Sequence, residues 1–458
     1  MTYEHVRAAH LHAVQAAMDD HVARLDWSRE QIEHHRDQRL RMLLSYARER
    51  SPFHSERLRD IDPSQASVAD LAKLPAMTKE EAQAQWDAII TDRDLTRDRA
   101  ERILAEQQWF SYTARDYQVF SSGGSSGVRG VYVWDWQLFV SIACLAWRTQ
   151  ARAELGEAST LPMRLAVLEA GMPPHASTPL FDVPTATGME TVVIAAGAPF
   201  EEVLAATAAA RPTHLVGYAS VIGRLARAAL AGELDCCPVR VSTNSEPLLD
   251  EDRRAIAEAW HAPIHNLWGS TEIGVQAVGC GLAEGLHVCE DEVVLERVDE
   301  NGVPVGADEA AARTLATGLA NRTFPFIRYD LGDEVTWLPG PCECSSMFAR
   351  VADIGGRRDD DFRYGPTTVL ASAFRHVLGT DPAISEYQVT QTVTGADILI
   401  VGTPDVETLT RALVAALRRY GLPEPTVQIR VVDRIPRHEA TGKLKRFIAL
   451  PPTVAGDD

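Results

Sequence analysis

The sequence predicts an α/β protein: a large N-terminal domain of mixed sheets with helices on their faces, then a small α+β C-terminal domain. Three observations carry this. From Phe120 onward, short apolar runs (Leu165–Leu168, Thr191–Ile194, His214–Gly217) alternate with helical stretches (Phe200–Ala210, Val221–Leu230), the pattern of a sheet covered by helices. Before that, Val6, Leu11, Val14 and Met18 recur at helical spacing, so the region up to about residue 110 reads as a helical scaffold. After Gly355-Gly356-Arg357-Arg358-Asp359-Asp360-Asp361 come two strand-like runs, Val389–Val393 and Ile398–Val401, a helix over Val406–Arg419 and a further strand over Thr426–Val432. The domains are therefore expected at 1–355 and 356–458.

Composition narrows the function. A chain of 458 residues with 45% apolar residues can build more than one core, and a formal charge of −19 argues against binding nucleic acid, which needs clustered Lys and Arg. No apolar run approaches the ~20 residues of a membrane span, and Met1-Thr2-Tyr3-Glu4-His5 lacks the basic-then-apolar pattern of a signal peptide, so a soluble cytoplasmic protein acting on small molecules is expected. Seven cysteines, an odd number in a long chain, point to reduced thiols or a metal; Cys144 and Cys236-Cys237 sit among apolar residues and read as core.

In chain order, Thr78-Lys79-Glu80-Glu81 reads as a helix start with Thr78 as N-cap, and His34-His35 as a solvated helix face. Ser121-Ser122-Gly123-Gly124-Ser125-Ser126-Gly127 offers only backbone and hydroxyl donors, the chemistry of a phosphate cradle. It runs into Val131–Asp135, which alternates like a strand, so it is a strand–loop–strand cradle rather than a Walker loop; a flexible Ser/Gly hairpin fits the same composition. Gly171–Ser177 is too Pro-rich for regular structure and falls where an α/β sheet presents a binding loop. Ser245-Glu246-Pro247 precedes a helix over Asp250–Trp260. Trp268-Gly269-Ser270-Thr271-Glu272 combines an aromatic face, a glycine, hydroxyls and a carboxylate suited to a base, a phosphate and magnesium, or else a capping box opening a helix. Asp333 ends a strand-like run where a carboxylate can accept both ribose hydroxyls, or is a turn residue. Near the end, Gly442 sets Lys443 on a tight basic loop.

Taken together, these stretches resemble the core motifs of the adenylate-forming superfamily of acyl-CoA synthetases, adenylation domains and luciferases, above all its phenylacetate-CoA ligase branch. The resemblance runs from Ser51-Pro52-Phe53 and Leu74–Lys79 to Gly442-Lys443. It implies that Ser121–Gly127 grips the β and γ phosphates of ATP and that Ser245, Glu246, Pro247 and Trp268 line the adenine. It further implies that Asp333 holds the ribose, Thr271 and Glu272 meet the α-phosphate and magnesium, and Arg357 contacts ribose and phosphate at the domain junction. Lys443 would bridge the attacking carboxylate and the α-phosphate. The small domain would rotate about Asp359 to present an acceptor site. Three departures stand out: Arg129-Gly130 replaces Lys-Pro, Trp268 replaces tyrosine, and Arg363–Val369 keeps a glycine but loses the usual Asn-Val-Phe-Pro of the thiol site. The expected activity is ATP-dependent activation of a carboxylic acid, with transfer to coenzyme A, or alternatively to an amine-type nitrogen nucleophile; a non-catalytic nucleotide-binding module is opposed by the presence of both Glu272 and Lys443. His175 and Tyr218 are candidates to contact the acid.

One motif lies outside that chemistry. Cys280 and His287 flank a Gly-rich turn, and Cys342-Glu343-Cys344 follows Gly340-Pro341; three thiolates and one imidazole suit a structural tetrahedral zinc. The branch often carries such a set. Free thiols or a Cys342–Cys344 disulfide are the alternatives, and Cys289 a substitute ligand. A zinc here is expected to pin the segment after Glu272 to the strand before Asp333.

Overall fold

The computed structural model describes residues 3–107, 111–113, 115–122, 129–156, 163–170, 173, 175–176, 190–306, 309–438 and 441–450. The N-terminal region is helical as expected. The helix Arg29–Arg50 starts at Ser28, whose hydroxyl accepts from the Gln31 amide while the Gln31 side chain accepts from the Ser28 amide. Its buried face, including Leu40, Leu43 and Leu44, shares a core with Val294, Leu319 and Ile327. Thr78 caps the helix Lys79–Ala84 by accepting from the Glu81 amide at 3.2 Å. Of the histidine pair, His34 is exposed, but His35 is half-buried with its ring 5.0 Å from that of Trp27, so only one of the two is solvated.

Two strands, β1 (Gln118–Ser122) and β2 (Gly130–Trp134), form an antiparallel pair in which Ser121 faces Val131 and Ser122 faces Gly130. The helix Trp136–Gly156 follows and packs on the helix Tyr3–Ala23. The central sheet then grows through β3 (Arg164–Glu169), β4 (Glu190–Ala195), β5 (His214–Tyr218), β6 (Arg240–Asn244), β7 (Ile264–Ser270), β8 (Gly274–Val278) and β9 (Leu286–Val288). A separate antiparallel sheet is formed by β10 (Val293–Val298), β11 (Arg313–Gly318) and β12 (Tyr329–Asp330). Two short strands, β13 (Trp337–Leu338) and β14 (Arg350–Val351), complete a nine-stranded sheet of order β13-β14-β9-β8-β7-β6-β5-β3-β4. Its β4-β3-β5-β6-β7 half is parallel and the rest antiparallel.

Parallel neighbours need long crossovers, and the helices Phe200–Ala210, Ala219–Leu230 and Asp250–Trp260 supply those from β4 to β5, β5 to β6 and β6 to β7; the connection from β3 to β4 lies mostly outside the described residues. On Ala219–Leu230, Ile222 and Leu225 are fully buried, each contributing roughly 1.5–3 kcal/mol relative to exposure. This helix begins two residues earlier than the apolar pattern predicts, because Ala219 and Ser220 are themselves buried.

The C-terminal part has its own core around Phe362, Phe374, Val389 and Leu413, joined from the large body by Leu249. It comprises the hairpin β15 (Phe362–Tyr364) and β16 (Thr367–Val369), turned at Gly365 with φ +59°, the helix Ala371–Leu378, and the strands β17 (Ile384–Gln391) and β18 (Gly395–Gly402). The helix Val406–Arg419 and the strands β19 (Thr426–Val431) and β20 (Phe447–Ile448) complete it. The sheet order is β19-β18-β17-β20. Among the described residues, no helix is long and apolar enough to cross a membrane.

Candidate active site

A cavity of about 310 Å³ opens beyond the carboxyl ends of β6 and β7, the usual place for a ligand in an open α/β sheet. Glu272, on the turn joining β7 to β8, faces it. Its Oε1 accepts from Tyr132 Oη at 2.7 Å and Tyr329 Oη at 3.1 Å. Burial, reinforced by the Glu272 charge, pushes both phenols far above the ordinary tyrosine range, so they serve as neutral donors. Among the described residues Oε2 takes no hydrogen bond. The carbonyl of Thr271 accepts from Trp134 Nε1 at 2.8 Å, which anchors the turn to β2. The alternative reading of this stretch as a helix start is overturned. The chain enters β8 directly, and the Ser270 hydroxyl that would cap a helix accepts from Ile273 N and Gln276 Nε2.

Asp333 is held on both oxygens. Oδ2 accepts from Trp268 Nε1 at 2.8 Å and Oδ1 lies 3.2 Å from Arg357 Nε. Burial raises its carboxyl, while Arg357 and the Trp268 N–H act in the opposite direction. Arg357 also donates to the Leu331 carbonyl at 2.7 Å and pairs with Asp333 through an isolated backbone bridge. Trp268 lines the cavity with its ring while its N–H is committed to Asp333.

Lys443 enters from the small domain. Its loop is closed by His438 N to Lys443 O at 3.0 Å and Gly442 N to His438 O at 2.8 Å. Gly442 has φ +72°, and a β-carbon there would come within 2.4 Å of the Ala196 carbonyl group, so glycine is required at this turn. Glu246 docks the loop: Oε1 accepts from Leu444 N at 2.8 Å and Oε2 from Ser220 N at 3.1 Å. Arg437 adds Nη1 to Ser220 Oγ at 2.7 Å and Nη2 to Glu386 Oε1 at 2.5 Å. The Lys443 ammonium sits 5.0 Å from the Tyr218 ring centre; burial lowers its pKa, with Glu246 and Glu169 countering. Tyr218 is buried, its oxygen accepting from Ala170 N at 3.0 Å. Burial, then Lys443 and His438, push His175 down to about 4, so it is neutral at pH 7.

The other expected residues are placed as follows. Ser122, Ser245 and Pro247 line the cavity, Ser245 at φ +62°, whereas Ser121 is buried in β1. Gly123, Gly124, Ser125, Ser126 and Gly127 lie outside the described residues, as does most of Gly171–Ser177. Arg129 pairs with Glu101 at 2.5 Å. Asp359 lies in a single turn, Arg358–Asp360, and its charge reaches Lys79 and Arg357.

Lys79, Tyr132 and Tyr329 were not legible as site residues. Lys79 lines the cavity and feels Glu272 most among the charges around it, yet its sequence context is only that of a helix start. Tyr132 sits in an alternating strand where any large apolar residue would satisfy the pattern.

The cysteine motif converges. The ligand atoms of Cys280, His287, Cys342 and Cys344 all lie within 4.8 Å of one another, with Cys280 Sγ 3.7 Å from Cys342 Sγ and Cys344 Sγ 3.2 Å from His287 Nε2. Tetrahedral zinc with bonds of about 2.0–2.3 Å spaces its ligands roughly 3.3–3.8 Å apart, so these residues fit such an ion. His287 Nδ1 lies 3.4 Å from the Phe348 carbonyl, which directs Nε2 inward. All cysteines are free thiols; Cys289 is buried beside Arg148 rather than joining this set, and Cys237, expected in the core, is exposed while its neighbour Cys236 is buried. The segment after Glu272 is joined to the β13–β14 connection, which follows Asp333, and not to the strand before it. The reason is register: β14 pairs with β9 at Arg350 and His287.

No protein-family model matches the chain. Among curated proteins, Protein CapK of Staphylococcus aureus is 22% identical over 312 residues, 65% of this chain; the match spans less than two thirds of that relative, 62% of its length. Among solved structures, a 2-hydroxyisobutyryl-CoA ligase in the postadenylation state, in complex with R3-HIB-AMP, superposes with a TM-score of 0.70 at 16% identity, covering 93% of this chain and 90% of that one. In the thioesterification state, with 2-HIB-AMP and CoA, the same enzyme gives 0.58 at 18% identity over 93% and 91%. The chain thus has the fold of adenylate-forming enzymes, with a large N-terminal and a small C-terminal domain.

Proposed function

We propose that this chain is an ATP-dependent acid ligase that activates a carboxylic acid as an acyl-adenylate. The observation that carries the reading is the convergence of Lys443, Glu272 and Asp333, which come from three distant parts of the chain, on one cavity. A carboxylate oxygen attacks the α-phosphorus of ATP, the bond to the β-phosphate oxygen breaks and pyrophosphate leaves. Both reactants are anionic, so the cost lies in gathering negative charge, and the Lys443 ammonium at the site lowers it. Burial keeps water from screening that charge. Lys79 adds a second cation, and Asp333 with Arg357 orients the ribose. Glu272, with Oε2 turned from its tyrosine donors, offers the oxygen donor a magnesium ion prefers, and that ion would supply further charge neutralisation on the phosphates.

The second half-reaction passes the acyl group to coenzyme A, whose thiol attacks the acyl carbon as AMP leaves; the solved ligase of the same fold, crystallised with CoA, supports this acceptor. An amine acceptor is the second reading, favoured by the sequence of the β15–β16 hairpin, which departs from the family's thiol-site pattern. In either case the 356–458 domain turns about Asp359. The Cys280–His287–Cys342–Cys344 set holds a structural zinc outside the chemistry.

The test is pyrophosphate release over a panel of carboxylic acids, with and without coenzyme A. Release that depends on the acid is expected; none with any acid overturns the reading. Asp359→Pro, which fixes the backbone at the junction, is expected to spare pyrophosphate release and block transfer to the acceptor. Equal loss of both would remove Asp359 as the hinge.

A further inference from the structure

Asn244 ends β6 immediately before the sharp turn at Ser245, and the residue is 3% exposed. Among the described residues, neither Oδ1 nor Nδ2 of its amide has a hydrogen-bond partner. Its neighbours in the strand do. Thr243 donates to Asn266 Oδ1 at 3.0 Å, and Asn266 Nδ2 donates to Asp353 Oδ1 at 2.7 Å. A buried amide with nothing to bond costs stability, and an apolar residue would fill the same place without that cost. Asn244 lines the active-site cavity, whose apolar lining includes Trp134, Ile142, Leu267 and Val275. It also borders a cavity of about 20 Å³ shared with Ala146 and Trp147, so it faces the helix Trp136–Gly156, the helix that sends Ile142 into the active site. None of the residues assigned to ATP calls for this amide.

We propose that Asn244 is a specificity-determining residue for the acid, selecting a carboxylic acid whose hydrocarbon body carries a hydroxyl group. A hydroxyl both donates and accepts, matching Oδ1 and Nδ2 together, while the apolar walls take the hydrocarbon. The inference rests on the adenylate-forming reading and names the substrate class of the same site. A site built to hydrogen-bond a substrate hydroxyl rejects the analogue that lacks it, because the amide is then left unpaired.

The experiment compares matched pairs of acids, each hydroxylated acid with its deoxy counterpart, by kcat/KM for pyrophosphate release in the parent and in Asn244→Leu. The parent is expected to favour a hydroxylated member at least tenfold, and the variant to bring that ratio to within about threefold. The Tm of ligand-free Asn244→Leu is expected to equal or exceed that of the parent, since a leucine removes an unpaired buried amide. A parent active on both members of every pair with equal kcat/KM, or a variant with the parental ratio, overturns the role of Asn244 and leaves adenylation standing. A clear fall in Tm also overturns it, because the amide would then be satisfied within the fold, for example by a water in the small cavity. Absence of pyrophosphate release with every acid in both proteins overturns adenylation itself, and this inference with it.

Discussion

Two polar clusters lie beside the antiparallel half of the nine-stranded sheet, one at the β7–β8 turn and one around β9 and the β13–β14 connection, and they converge differently. Around the cavity, Glu272 and Asp333 are held from behind by Tyr132, Tyr329, Trp268 and Arg357 and face a space of about 310 Å³. In the cysteine cluster, Cys280, His287, Cys342 and Cys344 face one another, with every ligand atom within 4.8 Å of the rest. The first leaves room for a substrate and the second only for an ion. Charged and ligating residues are thus sorted into chemistry and structure by what their atoms point at, not by their type. If that is right, damage to one cluster should appear in rate and damage to the other in stability.

The largest expected effect is on rate. Lys443→Ala should lower adenylate formation by about 3–4 kcal/mol, some hundred- to thousandfold, while ATP binding and Tm stay close to the parent, because burying an ammonium gives the fold nothing. Pyrophosphate release at the parental rate, or a collapse of Tm, would break the contrast. Next comes the opposite case. Cys342→Ser with Cys344→Ser should remove zinc and cost roughly 2–4 kcal/mol, a fall in Tm of about 2–5 °C, with kcat/KM of the folded fraction little changed. Parent protein with under a tenth of an equivalent of zinc by metal analysis, together with a double variant of parental Tm, would sink the metal assignment.

A smaller effect sharpens the role of the supports behind Glu272. Tyr132→Phe removes one of two donors to a carboxylate and should cost about 1.5 kcal/mol, roughly tenfold in kcat/KM. Steady-state kinetics at saturating and limiting magnesium would locate that loss at the metal or elsewhere. The smallest concerns pH. Lys443 acts as the ammonium, and burial lowers its pKa, so activity should fall on the alkaline side at a lower pH than the ordinary lysine value of about 10.4. A rate profile flat up to that value would show that this lysine does not carry the charge.

By itself, the sequence determined β3, β4 and β5 and the helices beside them, because alternating apolar runs and amphipathic stretches are local periodicities; β6 was not read from it. The helices Phe200–Ala210, Asp250–Trp260 and Val406–Arg419 fall where those patterns put them. It also determined which side chains gather, since Thr271, Glu272, Asp333 and Lys443 are marked by short motifs and all border the cavity or its rim. What only the tertiary structure decided is who supports them. Tyr132, Tyr329 and Lys79 look locally like a strand residue, a strand residue and a helix start, and become site residues only when chain segments 140, 57 and nearly 200 residues from Glu272 are folded against it. The same holds for Glu246, whose carboxylate joins Ser220 to Leu444, and for Asn244, whose amide stands out only because no neighbour among the described residues reaches it. Hydrogen-bond partners across such separations leave no periodicity in the chain; they exist only once packing has fixed the distances.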